Sequence, residues 1–468
     1  MTGLTALARA LVETLAHRAH ALDVALHTVQ VSVDGRLVVQ AANDPLGPDT
    51  PQRMYSVSKT VTGLAVGILA DEGALSLDDP VVGHFPEMAP VHPWLAGTTL
   101  RHMLSMRGPH RSTTYRRGEG GWLESYFRVT PTHPPGTLFT YDTSASYVLA
   151  ALVERLTGGS LAQYLRPRLL DPLGIGAGLR FLTGPEGIAH GGSGLICTPR
   201  DLLRLAHLML DDGVHDGAAL LPRGYLRDAT RAQADTATQT WGASLRRGYG
   251  YQLWLPRPGC WLMFGLGGQI VLGDPARRLA VVVTADTQAC SSGDQRLLDD
   301  VLEHLVEPLA AHLDAARATG RDVVGPASEV ALEWPAPHHD PAHARPVTER
   351  YVNVAAGPGP AELTVALDAR GGHLSAAGVG PAGDGCDVEV RFHAPRSIRA
   401  GAAAPAVVTA GWTSADTLDV RGAVHGEDLA TWRARLAWAP DGTLAVQSQV
   451  FCESADPAWT FHGAYRPA

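Results

Sequence analysis

Tyr55-Ser56-Val57-Ser58-Lys59-Thr60-Val61-Thr62-Gly63-Leu64-Ala65-Val66-Gly67-Ile68-Leu69-Ala70-Asp71-Glu72-Gly73 joins an apolar helical pattern to the only lysine in the 468-residue chain. Val61, Leu64, Ala65, Ile68 and Leu69 recur at helical spacing and Gly73 stands where a C-cap belongs, which predicts a helix from about Ser56 to Glu72. That helix is apolar almost all round, the pattern of a helix buried at the centre of a fold. Ser56 and Lys59, three residues apart, then lie on one face within reach of each other.

A serine hydroxyl attacks a carbonyl poorly unless a neighbour accepts its proton. A free lysine, with pKa near 10.4, is charged at neutral pH, and making it neutral there costs about 4–5 kcal/mol. Burial among apolar side chains supplies such a shift. Arginine, which occurs 37 times here against one lysine, does not lose its proton in proteins. A G+C-rich genome accounts for the arginines but not for the position that stays lysine. Among twenty serines, a lone lysine falls three residues after one of them by chance about one time in twenty. The plain alternative is a lysine on a helix surface, and the apolar surroundings weigh against it.

Working outward, residues 4–22 read as a helix and 27–40 as a hairpin about Asp34-Gly35. Residues 75–210 are mostly helical, with clear helices at 145–157 and 200–211. Strands return over 248–286, where Trp261–Asp274 and Leu279–Thr284 flank a turn, and an amphipathic helix follows over 294–317. This order predicts an α/β (α+β) fold: an antiparallel sheet flanked by helices, with an inserted helical subdomain at about 75–210. Residues 321–346, rich in proline and histidine, read as a linker between a catalytic domain at 1–320 and a β-rich, barrel-like domain at 347–468. The linker's His338-His339-Asp340 and His343 could bind metal, but in such a segment a plain solvated loop is the commoner reading.

Composition bounds the function. Hydrophobic residues make up 45% and charged residues 18%, with a net charge of −9 and no basic stripe, so neither nucleic acid nor an anionic membrane is an expected partner. Five scattered cysteines form no disulfide framework or metal-binding spacing. With no secretory pattern in the first residues, a cytoplasmic location is expected.

The segments Arg53-Met54-Tyr55-Ser56-Val57-Ser58-Lys59, Asp71-Glu72-Gly73, Leu75-Ser76-Leu77-Asp78-Asp79-Pro80 and Phe85-Pro86-Glu87 resemble the serine β-lactamase and penicillin-binding-protein superfamily. The resemblance is greatest to class C β-lactamases, related esterases and 6-aminohexanoate-dimer-hydrolase-like proteins. It resumes at Pro135-Gly136, Tyr141-Asp142-Thr143, Gly191-Gly192-Ser193-Gly194 and Gly265-Leu266-Gly267-Gly268-Gln269, in the family's order, and covers about residues 25–315. It implies a Ser56 nucleophile, a Lys59 proton acceptor and Tyr141 as proton relay. It also implies an oxyanion hole from the Ser56 N–H and one N–H of the 265–269 strand, that of Gln269. No metal or organic cofactor is implied. The tail resembles small lipocalin-like barrels appended to some relatives, and suits either covering the active site or forming a homodimer.

Two departures matter. Thr143 stands where the family usually has asparagine, and Leu266 stands where a lysine or histidine helps hold a substrate carboxylate. Leucine cannot do so, which favours an ester or amide lacking that carboxylate. The expected activity is a serine hydrolase on a small-molecule ester or amide. The alternative is an acyltransferase passing the acyl group to an amine or alcohol of a second substrate, and the third reading is an inactive binding protein. Any of His102, His110 and His190 could line a pocket, but each reads more readily as an ordinary histidine. Trp122, Tyr126 and Phe127 read as core rather than a binding platform, although the resemblance implies that the region before Tyr141 shapes the acyl pocket. Tyr147 reads as core and Asp142 as structural. Leucine at position 266 predicts negligible nitrocefin hydrolysis by the purified protein, and efficient turnover in that assay would contradict the inference.

Overall fold

The computed structural model describes residues 3–116, 120–239, 241–319, 325–354, 359–379, 384–392, 394–400, 404–453 and 459–468. Ala25–Val33 (β1) and Arg36–Ala42 (β2) form the expected hairpin, with Asp34 and Gly35 both at positive φ. That conformation matches the twist of a two-residue hairpin turn. Trp261–Gly265 (β3), Gln269–Asp274 (β4), Leu279–Asp286 (β5) and Ser328–Ala331 (β6) complete a six-stranded sheet ordered β6-β2-β1-β5-β4-β3. Two sequence expectations are corrected. The run 261–274 is two strands broken at Leu266-Gly267-Gly268, where both glycines have positive φ. The segment read as a linker carries β6, which pairs parallel to β2, and Trp334, whose indole donates to the Asp44 carbonyl at 2.7 Å. Residues 321–324 of that expected linker lie outside the described residues.

Alternation along β5 builds two cores from one sheet. Val281, Val283 and Ala285 face Leu4–Ala21 (α1) and the C-terminal helices, whereas Ala280 and Val282 face the helical subdomain. The predicted central helix is Val57–Asp71 (α2), and every residue from Val57 to Leu69 is buried. Thr143–Thr157 (α3) and Pro199–Leu210 (α4) pack in the same core, and Gly293–Val301 (α5) runs through a π-helical turn into Glu307–Ala318 (α6) on the opposite face.

The described residues between 347 and 468 form a nearly closed ten-stranded antiparallel barrel. Its strands are Val347–Asn353 (β7), Glu362–Leu367 (β8), Gly371–Val379 (β9), Asp384–Arg391 (β10), Arg396–Ala400 (β11), Ala404–Ser414 (β12), Thr417–Val424 (β13), Ala430–Trp438 (β14), Leu444–Cys452 (β15) and Phe461–Pro467 (β16). Val420, Ala434, Leu436 and Val446 fill its interior, while Arg421, Arg433 and Arg435 lie on the outer face. Arg421 and Arg433 both pair with Asp23, in the loop between α1 and β1. His339 stacks on Phe392 at 4.9 Å, and its Nδ1 accepts the Trp412 N–H at 3.2 Å, which docks the connecting segment on the barrel. Among the described residues, no helix is long and apolar enough to cross a membrane.

The two glycines of α2, Gly63 and Gly67, pack closely against Tyr225. A Cβ at Gly67 would lie 2.5 Å from Cδ1 of Tyr225, whose hydroxyl donates to the Gly63 carbonyl at 2.6 Å. Gly67→Ala is therefore expected to destabilise the fold by about 1–3 kcal/mol through overpacking, read as a lowered urea midpoint. An unchanged midpoint would refute the tight contact.

Candidate active site

Ser56 occupies the N-cap position of α2 without a side-chain capping bond, and Lys59 sits one turn along on the same face. Lys59 Nζ donates to Ser56 Oγ at 2.9 Å and to the Gly192 carbonyl at 2.7 Å. The amine is 1% exposed. Burial pulls its pKa down from 10.5 to about 7, with Asp142 and Glu453 opposing the shift and Arg116 reinforcing it. A carbonyl and a hydroxyl oxygen satisfy the amine in either protonation state without holding it charged as a paired carboxylate would.

Tyr141 closes the third side. Lys59 Nζ lies 4.8 Å from its ring centroid, and its hydroxyl is hydrogen-bonded to Ser56 and Trp254. Burial pushes the Tyr141 pKa upward, and those two bonds draw it only part of the way back. The ring is fixed by stacking on Trp254, with centroids 5.5 Å apart at 23°, and by the edge of Trp241 at 5.2 Å. The aromatic packing sets the phenol's position and leaves its proton as the movable part.

The next layer orients these groups. A Cβ on Gly192 would lie 2.5 Å from Thr143 Cγ2, so only glycine lets the carbonyl that faces Lys59 approach α3 this closely. Thr143 lines the cavity, and its N–H donates to Thr113 Oγ1 at 3.2 Å. Asp142, expected to be structural, caps α3 by accepting the Ser144 N–H at 2.9 Å. Burial raises its pKa to about 6, with the Ser144 bonds and then Lys59 opposing.

The cavity around Ser56 measures about 640 Å³. Phe264, Gly265 and Leu266 line it, whereas Gly267, Gly268 and Gln269 do not. Gln269 is instead buried behind the turn, its amide donating to the Ala285 carbonyl at 2.8 Å. The glycine turn is tied to Asp294, whose carboxylate accepts the Gly267 and Gly268 N–H groups and the Thr287 hydroxyl. The part of the strand that lines the cavity, Gly265 and Leu266, therefore lies three to four residues before Gln269, the position the sequence suggested.

Of the three histidines that could line a pocket, the structure places one, His190, in the wall. Burial first, then Lys59, holds its pKa down to about 3. Trp122, expected in the core with Tyr126 and Phe127, is half-buried and stacks on the cavity residue Tyr115 at 4.2 Å and 12°. Tyr126 and Phe127 are in the core, Tyr147 is buried and donates to Glu186 at 2.7 Å, and His110 is buried against the Tyr126 carbonyl at 2.8 Å. His102 lies away from the cavity, accepting the Thr99 N–H at 3.2 Å as a helix cap. Glu453, from the barrel, reaches the cavity rim and pairs with Arg116 at 2.8 Å and Arg53 at 3.7 Å. Among the described residues, no cluster of three or more histidines, cysteines or acidic residues could hold a metal.

A family model described as Beta-lactamase matches residues 8–306. The chain is 29% identical over 199 residues to the 6-aminohexanoate-dimer hydrolase of Paenarthrobacter ureafaciens, covering 38% of this chain and 50% of that protein. It is 29% identical over 172 residues to Esterase EstB of Burkholderia gladioli, covering 30% and 41%. The chain spans about half the length of the curated relatives it matches. Among solved structures, SurE with D-Leu aligns over 99% of both chains at TM-score 0.50 and 20% identity. EstCE1, a hydrolase with promiscuous acyltransferase activity, aligns over 63% of this chain and 98% of its own at TM-score 0.52 and 19% identity.

The Lys59 environment sets a pH dependence. Below about 7 the amine holds its proton and above it the amine is neutral. Any reaction that hands the Ser56 proton to Lys59 should then rise with pH through about 7 and level off above it, as read from kcat/KM on an activated ester. A profile that is flat between pH 5.5 and 8.5 would contradict the assignment.

Proposed function

The chain belongs to the Beta-lactamase family, and from that premise we propose that it is a serine hydrolase acting on a small-molecule ester or amide through a Ser56 acyl-enzyme. The observation that carries the proposal is the 2.9 Å bond between Lys59 Nζ and Ser56 Oγ at a buried amine whose pKa is about 7. Two of the curated relatives are named as a hydrolase and an esterase, which supports the same chemistry.

In the proposed reaction, neutral Lys59 accepts the Ser56 proton as Oγ bonds to the substrate carbonyl carbon. The tetrahedral oxyanion is held by the Ser56 N–H and a backbone N–H at the Gly265–Leu266 end of β3, the part of the strand that lines the cavity. As the bond to the leaving group breaks, Tyr141 gives that group its hydroxyl proton and recovers one from Lys59. Water then attacks the acyl carbon by the reverse route and releases the acid. Leu266 places no charge in the cavity, which fits a substrate without a carboxylate at that point. A cytoplasmic location belongs to the same proposal, as does a catalytic unit extended through β6 to Trp334.

A second reading, acyl transfer to an amine or alcohol, is favoured by one feature. Beyond Ser56 the cavity continues to Gln288, Ser292 and Gln295 and to Glu453 at the rim, leaving room for a second group beside the acyl chain.

Intact-protein mass spectrometry with activated esters and amides tests both readings. The wild type should gain one acyl mass and Ser56→Ala none. Faster loss of that mass with an added amine, together with amide product, would select transfer, and loss at an unchanged rate would select hydrolysis. Acylation that persists in Ser56→Ala would refute the nucleophile.

A further inference from the structure

The barrel touches the rest of the chain at the segment that delivers Ser56. The turn between β13 and β14 enters there. The Gly426 carbonyl accepts the Arg53 N–H at 2.7 Å, Asp428 accepts from the Arg53 guanidinium at 2.9 Å, and the Leu429 N–H donates to the Tyr55 hydroxyl at 3.0 Å. The Leu429 side chain is 1% exposed and fills the space beside Gly267, where a Cβ would lie 2.5 Å from its Cδ1. One turn of the barrel thus contacts both the chain entering α2 and the glycine turn after β3.

Tyr55 is the unusual residue in this arrangement. It directly precedes Ser56, it is an aromatic residue at φ +46°, and it is 1% exposed. A bulky side chain in the left-handed region is strained, and such residues persist only where their surroundings hold them. Here the hold is on the side chain. The Arg53 guanidinium lies 4.3 Å from the ring centroid and the barrel's N–H bonds the phenol oxygen. The orientation of the Ser56 N–H and Oγ follows from the φ and ψ of Tyr55, so relaxation at Tyr55 would re-aim both.

We propose that the C-terminal barrel is part of the reaction centre, its Leu429 N–H fixing the Tyr55 hydroxyl and through Tyr55 the attacking geometry of Ser56. Tyr55 and Leu429 are then positioning residues, and the inference rests on the reading of Ser56 as nucleophile. It gives the barrel a task distinct from a lid and from a dimer contact.

Tyr55→Phe removes only the hydroxyl that Leu429 holds. The expected result is an acylation rate at Ser56, measured with a fluorophosphonate, that falls about tenfold, a misplacement effect, while KM for an ester substrate stays within about twofold. Asp428→Ala removes the barrel turn's ion pair to Arg53, while the Ser193 carbonyl at 2.9 Å and Glu453 at 3.7 Å still hold the guanidinium. It leaves the buried tyrosine untouched, should lower the same rate, and covers the case in which Tyr55→Phe fails to fold. Asp23→Asn loosens the remote ion pairs to Arg421 and Arg433, and should lower the melting temperature while leaving the acylation rate at the wild-type value. Wild-type acylation in both Tyr55→Phe and Asp428→Ala would overturn the proposal. So would an equal loss in Asp23→Asn, because the effect would then belong to domain docking in general. Absence of Ser56 labelling in the wild type would instead refute the nucleophile on which the inference rests.

Discussion

A buried amine without a carboxylate partner constrains everything around Ser56. Lys59 is held by one carbonyl and one hydroxyl oxygen, and removal of water lowers its pKa to about 7. Such a site exists only if apolar packing excludes water on every side. That requirement explains why α2 is buried along its length, why Gly191 and Gly192 let their chain lie against α3, and why Tyr141 is walled by tryptophans. Arginine at position 59 would keep its charge in the same surroundings, whereas lysine can be neutral there.

The sheet and the barrel serve this centre from two directions. β3 lays Gly265 against the Met54 carbonyl, so closely that a Cβ there would lie 2.4 Å from it, and this brings Leu266 to the cavity. Asp294 and Leu429 hold the glycine turn that follows. From the other side, the barrel contributes Glu453 to the rim and its β13–β14 turn to the segment before Ser56. The cavity thus has walls from both domains.

How much was legible in the sequence follows from how local each signal is. The helix bearing Ser56 and Lys59 is written in consecutive residues, and so is the Asp34-Gly35 hairpin. Tyr141 was found through its motif, and it does meet Ser56 and Lys59. The break at Leu266–Gly268 was masked by apolar residues on both sides, although the paired glycines were its signal. β6 was missed because its partner, β2, lies far back in the chain. His190 was one of three histidines that could line a pocket and Trp122 one of three aromatics weighed as core or platform, and nothing local in the sequence separates each from its neighbours. Leu429 and Glu453 stand hundreds of residues from Ser56, and no pattern in the barrel's alternating strands points to the site they join.

Because the chain has one lysine, labelling lysine with 13C at Cε and 15N at Nζ gives a single NMR probe of the central claim. Titration of that signal in the folded protein should show a midpoint near 7, far below the ordinary lysine value. A midpoint near 10.5 would mean that Lys59 is charged throughout the working range, and would contradict the account of the site as a water-excluded pocket built around a neutral amine.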